Sequence, residues 1–303
     1  MNNPVISILL PSFESKDLLS KVFLKSHINS DITELIIYDN GGNDFTEEFK
    51  EDVNAYGKNN LDFWKCVRIN DTSLKCHTML LGDGKNIGLH AAYNECFKYA
   101  KGDWFYLPHS DMVLLKNWDV ELLNATRGMV LSKLLLCSRS VEPTQGHTRH
   151  HKILDFGKSV EEFKEKELMN WYDKEYKDSQ ESRRIEVGAR MPMFLHRSLL
   201  DKMTDFNQKN NICDGPFDDH YFSYCQDDDI IQTSWHLGVR RFHMVWGSLV
   251  YHLSGQSNKQ QNIDRDSDDP YIYFMYKWAK WYPDVCRPGQ YHPKLISFET
   301  RVR

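Results

Sequence analysis

The sequence predicts an α/β fold built on a mixed, mainly parallel sheet with helices on both faces. Three observations predict it. Short apolar, β-branched runs alternate with stretches of helical period, each run ends in turn residues, and several of those ends carry a carboxylate. Strands that alternate with helices pair in parallel, because a crossover is what reaches a parallel neighbour. In such sheets ligands sit beyond the carboxyl ends of the strands.

In chain order, residues 5–10 (VISILL) form the first strand, stopped by Pro11-Ser12. A helical pattern over 16–25 places Leu18, Leu19, Val22 and Phe23 on one face. Residues 35–38 (LIIY) are a second buried strand, ended by Asp39-Asn40-Gly41-Gly42, with a helix expected around 45–56. Residues 66–69 are expected as the third strand. Asn86-Ile87-Gly88 opens a helix over 89–100, with Asn86 as a candidate cap. Gly102-Asp103 turns the chain into a fourth strand, WFYL at 104–107, which runs into His109-Ser110-Asp111. A helix at 120–126 and a strand at 131–137 follow. Residues 143–185 read as a polar insertion with a surface helix at 161–171. Its His147, His150 and His151 have metal-binding chemistry, but their loop-like setting fits surface histidines. Beyond it come a strand at 191–195, a turn at 213–219, a helix at 230–237 led by Gln226-Asp227-Asp228-Asp229, and a strand at 241–245. The tail holds a charged turn at 264–269, read as a hinge, and an aromatic-dense segment at 271–282.

Three strand ends thus present Ser12-Phe13-Glu14, Asp39-Asn40-Gly41 and His109-Ser110-Asp111. Singly, each is ordinary turn composition. Together on one sheet edge they read as a binding site.

Composition narrows the classes. The 303 residues allow one large or two ordinary domains, and 41% apolar with 27% charged residues is a soluble, core-forming balance. With 43 acidic against 38 basic residues, the net charge of −5 argues against a nucleic-acid partner gripped by bulk charge. No apolar run is long enough to cross a bilayer, and the opening Met1-Asn2-Asn3-Pro4 lacks the basic start of a signal peptide. Seven scattered cysteines without a CxxC pair point to reduced thiols and a cytoplasmic protein.

The ordered set of segments resembles family 2 glycosyltransferases of the GT-A fold. VISILLPSFES resembles their opening strand and donor loop, and ELIIYDNGGND their second strand and turn. GKNIGLHAAYNECFKYAKGDWFYLPHSDMVLLKNW resembles the central stretch that ends in a metal motif. GPFDDHYFSYCQDDDII resembles the Gly-Phe-Asp-Glu segment with its acidic pair at a helix start, and VYHLSGQS the late histidine loop. The resemblance covers about residues 4–257, which implies a catalytic domain over 1–257 and an extension over 258–303 that packs on it.

It implies an inverting, metal-dependent transfer of a sugar from a nucleoside diphosphate, most simply UDP, to a glycan or other hydroxyl acceptor. Pro11, Phe13, Glu14 and Asp39 would line the nucleoside pocket, with Asp39 accepting from the base. Lys85, Asn86 and Gly88 would close over the donor, whose phosphates a helix N-terminus also favours. Asp111 would bind Mn²⁺ or Mg²⁺, the counter-charge for the leaving diphosphate, with His252 as a further ligand. The usual Asp-x-Asp motif begins here with His109, placed to reach the donor sugar beside Ser110. Asp227 matches the general base, although Gln226 replaces the usual Glu before it, and Asp229 would support the helix start or an acceptor-side Arg190. Trp278 and Trp281 read either as packing or as an acceptor wall, and Lys277 and Lys280 as a weak contact for an anionic surface. A nucleotidyltransferase, a silent nucleotide-sugar binding module and a transferase acting on modified DNA bases are the alternatives.

Overall fold

The computed structural model describes residues 5–29, 31–41, 68–69, 72–73, 77–144, 151–222, 225–253 and 270–282. Its first half contains β1 (Ile6–Phe13), α1 (Lys16–Lys21), β2 (Thr33–Gly41), β3 (Arg68–Ile69), β4 (Thr72–Ser73), β5 (His77–Leu81), α2 (Leu89–Tyr99), β6 (Trp104–Leu107), β7 (Met112–Leu114) and α3 (Trp118–Ala125). The second half contains β8 (Leu134–Glu142), β9 (Lys152–Ile153), α4 (Glu165–Trp171), β10 (Ile185–Val187), β11 (Met193–His196), α5 (Arg197–Lys209), α6 (Gln226–His236), β12 (Arg241–His252) and α7 (Pro270–Ala279).

The main sheet has the order β10-β12-β8-β11-β6-β1-β2-β5, with β7 added to β12 and β9 to β8. β1, β2, β5 and β6 are parallel, as are β8 and β12, while β11 is antiparallel to both β6 and β8. Crossing β11 reverses direction twice. β1, β2, β5, β6, β8 and β12 therefore all end on one edge, and the expected mixed, mainly parallel sheet flanked by helices is what forms.

Side chains alternate between the faces, as the strand period of two requires. Ile6, Ile8 and Leu10 of β1 join Leu35, Ile37, Trp104 and Tyr106 on one face, against Leu19, Phe23, Trp118 and Leu122. Leu9, Ile36, Phe105 and Leu107 turn to the other, against Ala92, Tyr93 and Cys96 of α2 and Leu199, Leu200 and Met203 of α5. Helices cover both faces, so the central strands read as unbroken apolar runs. Pro11 is tolerated inside β1 because β6 pairs only with Ile6–Ile8, and no donor is demanded from it on that side. Among the described residues no helix is long and apolar enough to cross a membrane.

Several expectations are corrected. The third strand of the main sheet is β5, not the segment 66–69, of which Arg68–Ile69 pairs only with β4 in a separate ribbon. The sequence reading also passes over α5, a long helix with five buried side chains. β12 runs to His252 rather than stopping at 245, and β8 runs from Leu134 to Glu142. The insertion helix is the shorter Glu165–Trp171. The helix expected at 45–56, His147, His150 and the hinge at 264–269 lie outside the described residues.

α7 starts at Pro270, whose fixed φ and missing N–H suit a first helical position. It lays Phe274 and Trp278 against Phe206, Tyr221 and Cys225. Trp278 is fully buried and donates from Nε1 to Asp229 Oδ1 at 3.0 Å, so it packs and does not form an acceptor wall. Lys277 is buried too, which removes it from any surface contact. Trp278→Ala is expected to cost about 3–5 kcal/mol, the scale for emptying a large aromatic site. Urea unfolding measures it; a loss under 1 kcal/mol would contradict the packing described.

Candidate active site

The common edge of the six strands gathers chemistry from distant parts of the chain. After β6, Tyr93 Oη donates to the Pro108 carbonyl, and the His109 carbonyl accepts the Met112 N–H, which closes a turn around Ser110 and Asp111. Ser110 and Asp111 are buried. The Asp111 carbonyl accepts the Leu253 N–H at 3.0 Å, which pins the turn to the end of β12. His252 then lies with Nε2 3.4 Å from Asp111 Oδ1 and Nδ1 3.2 Å from Glu142 Oε1 at the end of β8. His109 packs edge-on to the His252 ring at 6.2 Å.

His109, Asp111 and His252 each offer one ligand atom, and these lie within 4.8 Å of one another. One carboxylate oxygen with two imidazole nitrogens suits Mn²⁺ better than Mg²⁺, which prefers oxygen alone. Glu142 holding the far nitrogen of His252 is the outer support such a ligand needs. Burial alone would lower the His252 pKa, but Asp111 and Glu142 outweigh it and raise it to about 10. Burial lowers that of His109. The Glu142 carboxyl loses solvation as well, yet hydrogen bonds from His151 and His252 hold it well below the usual carboxylate range. His151 is therefore no surface histidine; its Nδ1 stands 3.1 Å from Glu142 Oε2.

The residues expected on the donor side lie at the ends of β1 and β2 and in the loop before α2. Asp39 is buried at the end of β2, and Phe13 lies over Gly41, where an added Cβ would meet its ring at 2.5 Å. Pro11 pairs in register with Tyr38, and Glu14 is exposed with a left-handed φ of 46°. Asn40 Oδ1 accepts the Ile87 N–H at 2.8 Å, which ties the loop before α2 to β2. Asn86 does not cap α2: its Oδ1 accepts the Gly88 N–H at 3.0 Å, and Gly88, with φ 87°, is the cap. Lys85 is exposed in this loop, its N–H bonded to Asp83.

Asp227 lies half-buried in the first turn of α6. The Asp227 charge acts on both His109 and Arg190, and that of Glu142 also reaches Arg190. Burial lowers the Arg190 pKa and the two carboxylates raise it. Asp229 does not turn to Arg190; it is buried against Lys277 and Trp278. Asp228 sits at the surface, yet the protein packed around it, together with Asp227 and Asp229, pushes its carboxyl up to about 7. A carboxyl that holds its proton more tightly folded than unfolded loses stability as pH rises toward that value. Asp228→Asn is therefore expected to gain melting temperature over the parent progressively from pH 4 to pH 8. A gain that shrinks over that range would contradict this.

No protein-family model matches the sequence, and no curated protein sequence matches it. Solved structures do match. The 1–349 fragment of S. aureus TarS superposes with a TM-score of 0.50 at 11% identity, covering 96% of this chain and 68% of that one. A longer TarS chain gives 0.51 at 10% identity, and this chain spans 98% of itself but 42% of that protein. The 1–349 fragment with UDP-GlcNAc gives 0.50 at 11% identity, covering 96% and 69%.

The chain has a GT-A-like fold.

Within this GT-A-like fold, the structure brings together His109, Asp111 and His252, and the charge of Asp227 reaches both His109 and Arg190. It does not bring Trp278 or Trp281 to them; Trp281 packs on Phe206 and His236. The sequence reading misses Glu142, and it puts Lys277 at the surface where the structure buries it. Glu142 had a signal: Ser138, Arg139, Ser140 and Glu142 are polar in a strand that is buried throughout.

Proposed function

We propose that the chain is an inverting glycosyltransferase that takes a sugar from a nucleoside diphosphate and passes it to an acceptor hydroxyl. The observation that carries this reading is the His109–Asp111–His252 cluster at the edge of a GT-A-like sheet, with the Asp227 carboxylate close enough for its charge to act on His109.

Asp39, Phe13 and Pro11 hold the nucleoside, and the Asn86–Gly88 loop covers the donor. His109, Asp111 and His252 would hold a divalent cation, Mn²⁺ before Mg²⁺, which would supply counter-charge to the leaving diphosphate. Loading it requires His252 to give up the proton that Asp111 and Glu142 favour, so affinity rises with pH. Asp227 takes the proton of the acceptor hydroxyl as that oxygen bonds to the anomeric carbon, while the electron pair of the breaking bond leaves on the diphosphate oxygen. A single displacement inverts the anomeric centre. Arg190, which the charges of Glu142 and Asp227 both reach, would orient the acceptor.

The test is a screen of nucleotide sugars for metal-dependent release of nucleoside diphosphate. UDP-GlcNAc, which the neighbouring S. aureus TarS structure contains, is the first donor to try. Release of the free diphosphate supports the reading; release of pyrophosphate, or of nothing from any donor, would end it.

A further inference from the structure

α7 follows the last strand of the sheet and shares none of its edge, yet it sends one charge deep inside. The Lys277 side chain is 3% exposed, and its ammonium stands 2.8 Å from Asp218 Oδ2 and 2.8 Å from each carboxylate oxygen of Asp229. Tyr273 Oη donates to the same Asp218 oxygen at 2.9 Å, and Trp278 Nε1 donates to Asp229. Lys277 also lies over the rings of Tyr221 and Trp278.

The two carboxylates belong to the two segments that flank the site. Asp229 is in the first turn of α6, two residues after Asp227, so holding it fixes the rotation of that turn. Asp218 belongs to the segment that braces α2. Its carbonyl accepts the His90 Nδ1–H at 2.9 Å, and Phe217 exchanges two hydrogen bonds with the Asn94 side chain. The Phe222 carbonyl accepts the Leu89 N–H, directly after the Asn86–Gly88 loop. A Cβ on Gly88 would meet the Phe222 ring at 2.9 Å, so the two surfaces are in close contact. One ammonium therefore spans the donor-side brace and the acid-bearing helix.

Apolar packing could fill this volume with less desolvation, since a buried lysine is stable only with its partners in place. What the ammonium adds is direction: three short contacts admit one orientation of α6. It also neutralises Asp229 within the Asp227–Asp229 run, so the other two carboxylates of the run stay free of ion pairs among the described residues. We infer that Lys277 is a positioning residue for transfer, holding the Asp227 turn against the donor-side loop. This rests on the glycosyl-transfer reading above.

The test uses the whole chain with Lys277→Met and Asp229→Asn combined, which removes one charge of each sign and leaves no carboxylate of α6 stranded. Transfer kcat is expected to fall tenfold or more, while UDP affinity in the presence of Mn²⁺, measured by calorimetry, stays within threefold. A folded double variant with kcat within threefold of the parent overturns the proposal, as does an equal loss of kcat and UDP affinity. If the double variant does not melt cooperatively, Lys277→Arg, which keeps the charge but displaces it, takes its place with the same readouts. If the parent turns over no nucleotide sugar, the reaction assignment has failed separately, and amide hydrogen exchange decides. Faster exchange in both 86–93 and 226–233 then supports Lys277 as the link, and unchanged exchange in either removes it.

Discussion

Asp227→Asn is expected to lower transfer by about a hundredfold or more, the scale of a lost general base, without lowering nucleotide affinity or the melting temperature. The asparagine keeps the volume and the position in the first turn of α6. It loses the lone pair charge that takes the acceptor proton. The fold is held in this region by Asp229, through Lys277 and Trp278, and those contacts remain. Initial rates of diphosphate release with a saturating acceptor, beside calorimetry of UDP, measure both halves. The neighbouring Asp228 has a pKa of about 7, which also suits a base. Asp228→Asn is thus the decisive control: if it abolishes transfer and Asp227→Asn does not, the base lies one position further along.

The second large effect concerns the metal cluster. Asp111→Ala is expected to remove the gain in UDP affinity that Mn²⁺ brings and most of the turnover. Asp111 is fully buried and contributes the one carboxylate of the cluster among the described residues. Its loss also leaves the raised charge of His252 facing Glu142 alone, which costs stability on the scale of a broken buried pair, about 3–5 kcal/mol. Asp111→Asn, which keeps the packing, separates the two consequences. It should fold and still lack the Mn²⁺ effect. An undiminished Mn²⁺ dependence of UDP binding in a folded Asp111→Asn variant rules out Asp111 as a ligand.

The strands that frame the site were legible because each is a short apolar run stopped by turn residues, as in VISILL, LIIY and WFYL, and because their ends are polar. Those features depend only on local pattern. β5, with His77 and Thr78 inside it, carries too little apolar signal to outrank residues 66–69, and only its pairing with β2 makes it part of the sheet. The antiparallel course of β11 was equally hidden, since direction is set by which neighbours a strand meets. Asp111 and His252 could be named from motif order, but Glu142, which supports His252 from β8, could not. Trp278 and Lys277 show the same limit. An aromatic-dense segment with lysines suits a surface as well as an interior, and buried Asp218 and Asp229 decide between them.

The pairing of β8 with β12, from Leu134 opposite Arg241 to Val141 opposite Tyr251, also governs when the site comes into being. Glu142 and His252 are 110 residues apart. Contacts of that span form late, because the intervening chain must be closed into a loop before they contribute. At a synthesis rate of about 5–20 residues per second, β1, β2, β5, β6 and α2 can assemble while later segments are still being made. His109 and Asp111 are then already in their turn, but without His252. His252 joins them only when β12 docks, so on a ribosome-bound chain the His109–Asp111–His252 cluster is completed several seconds after β1, β2, β5 and β6 have been made.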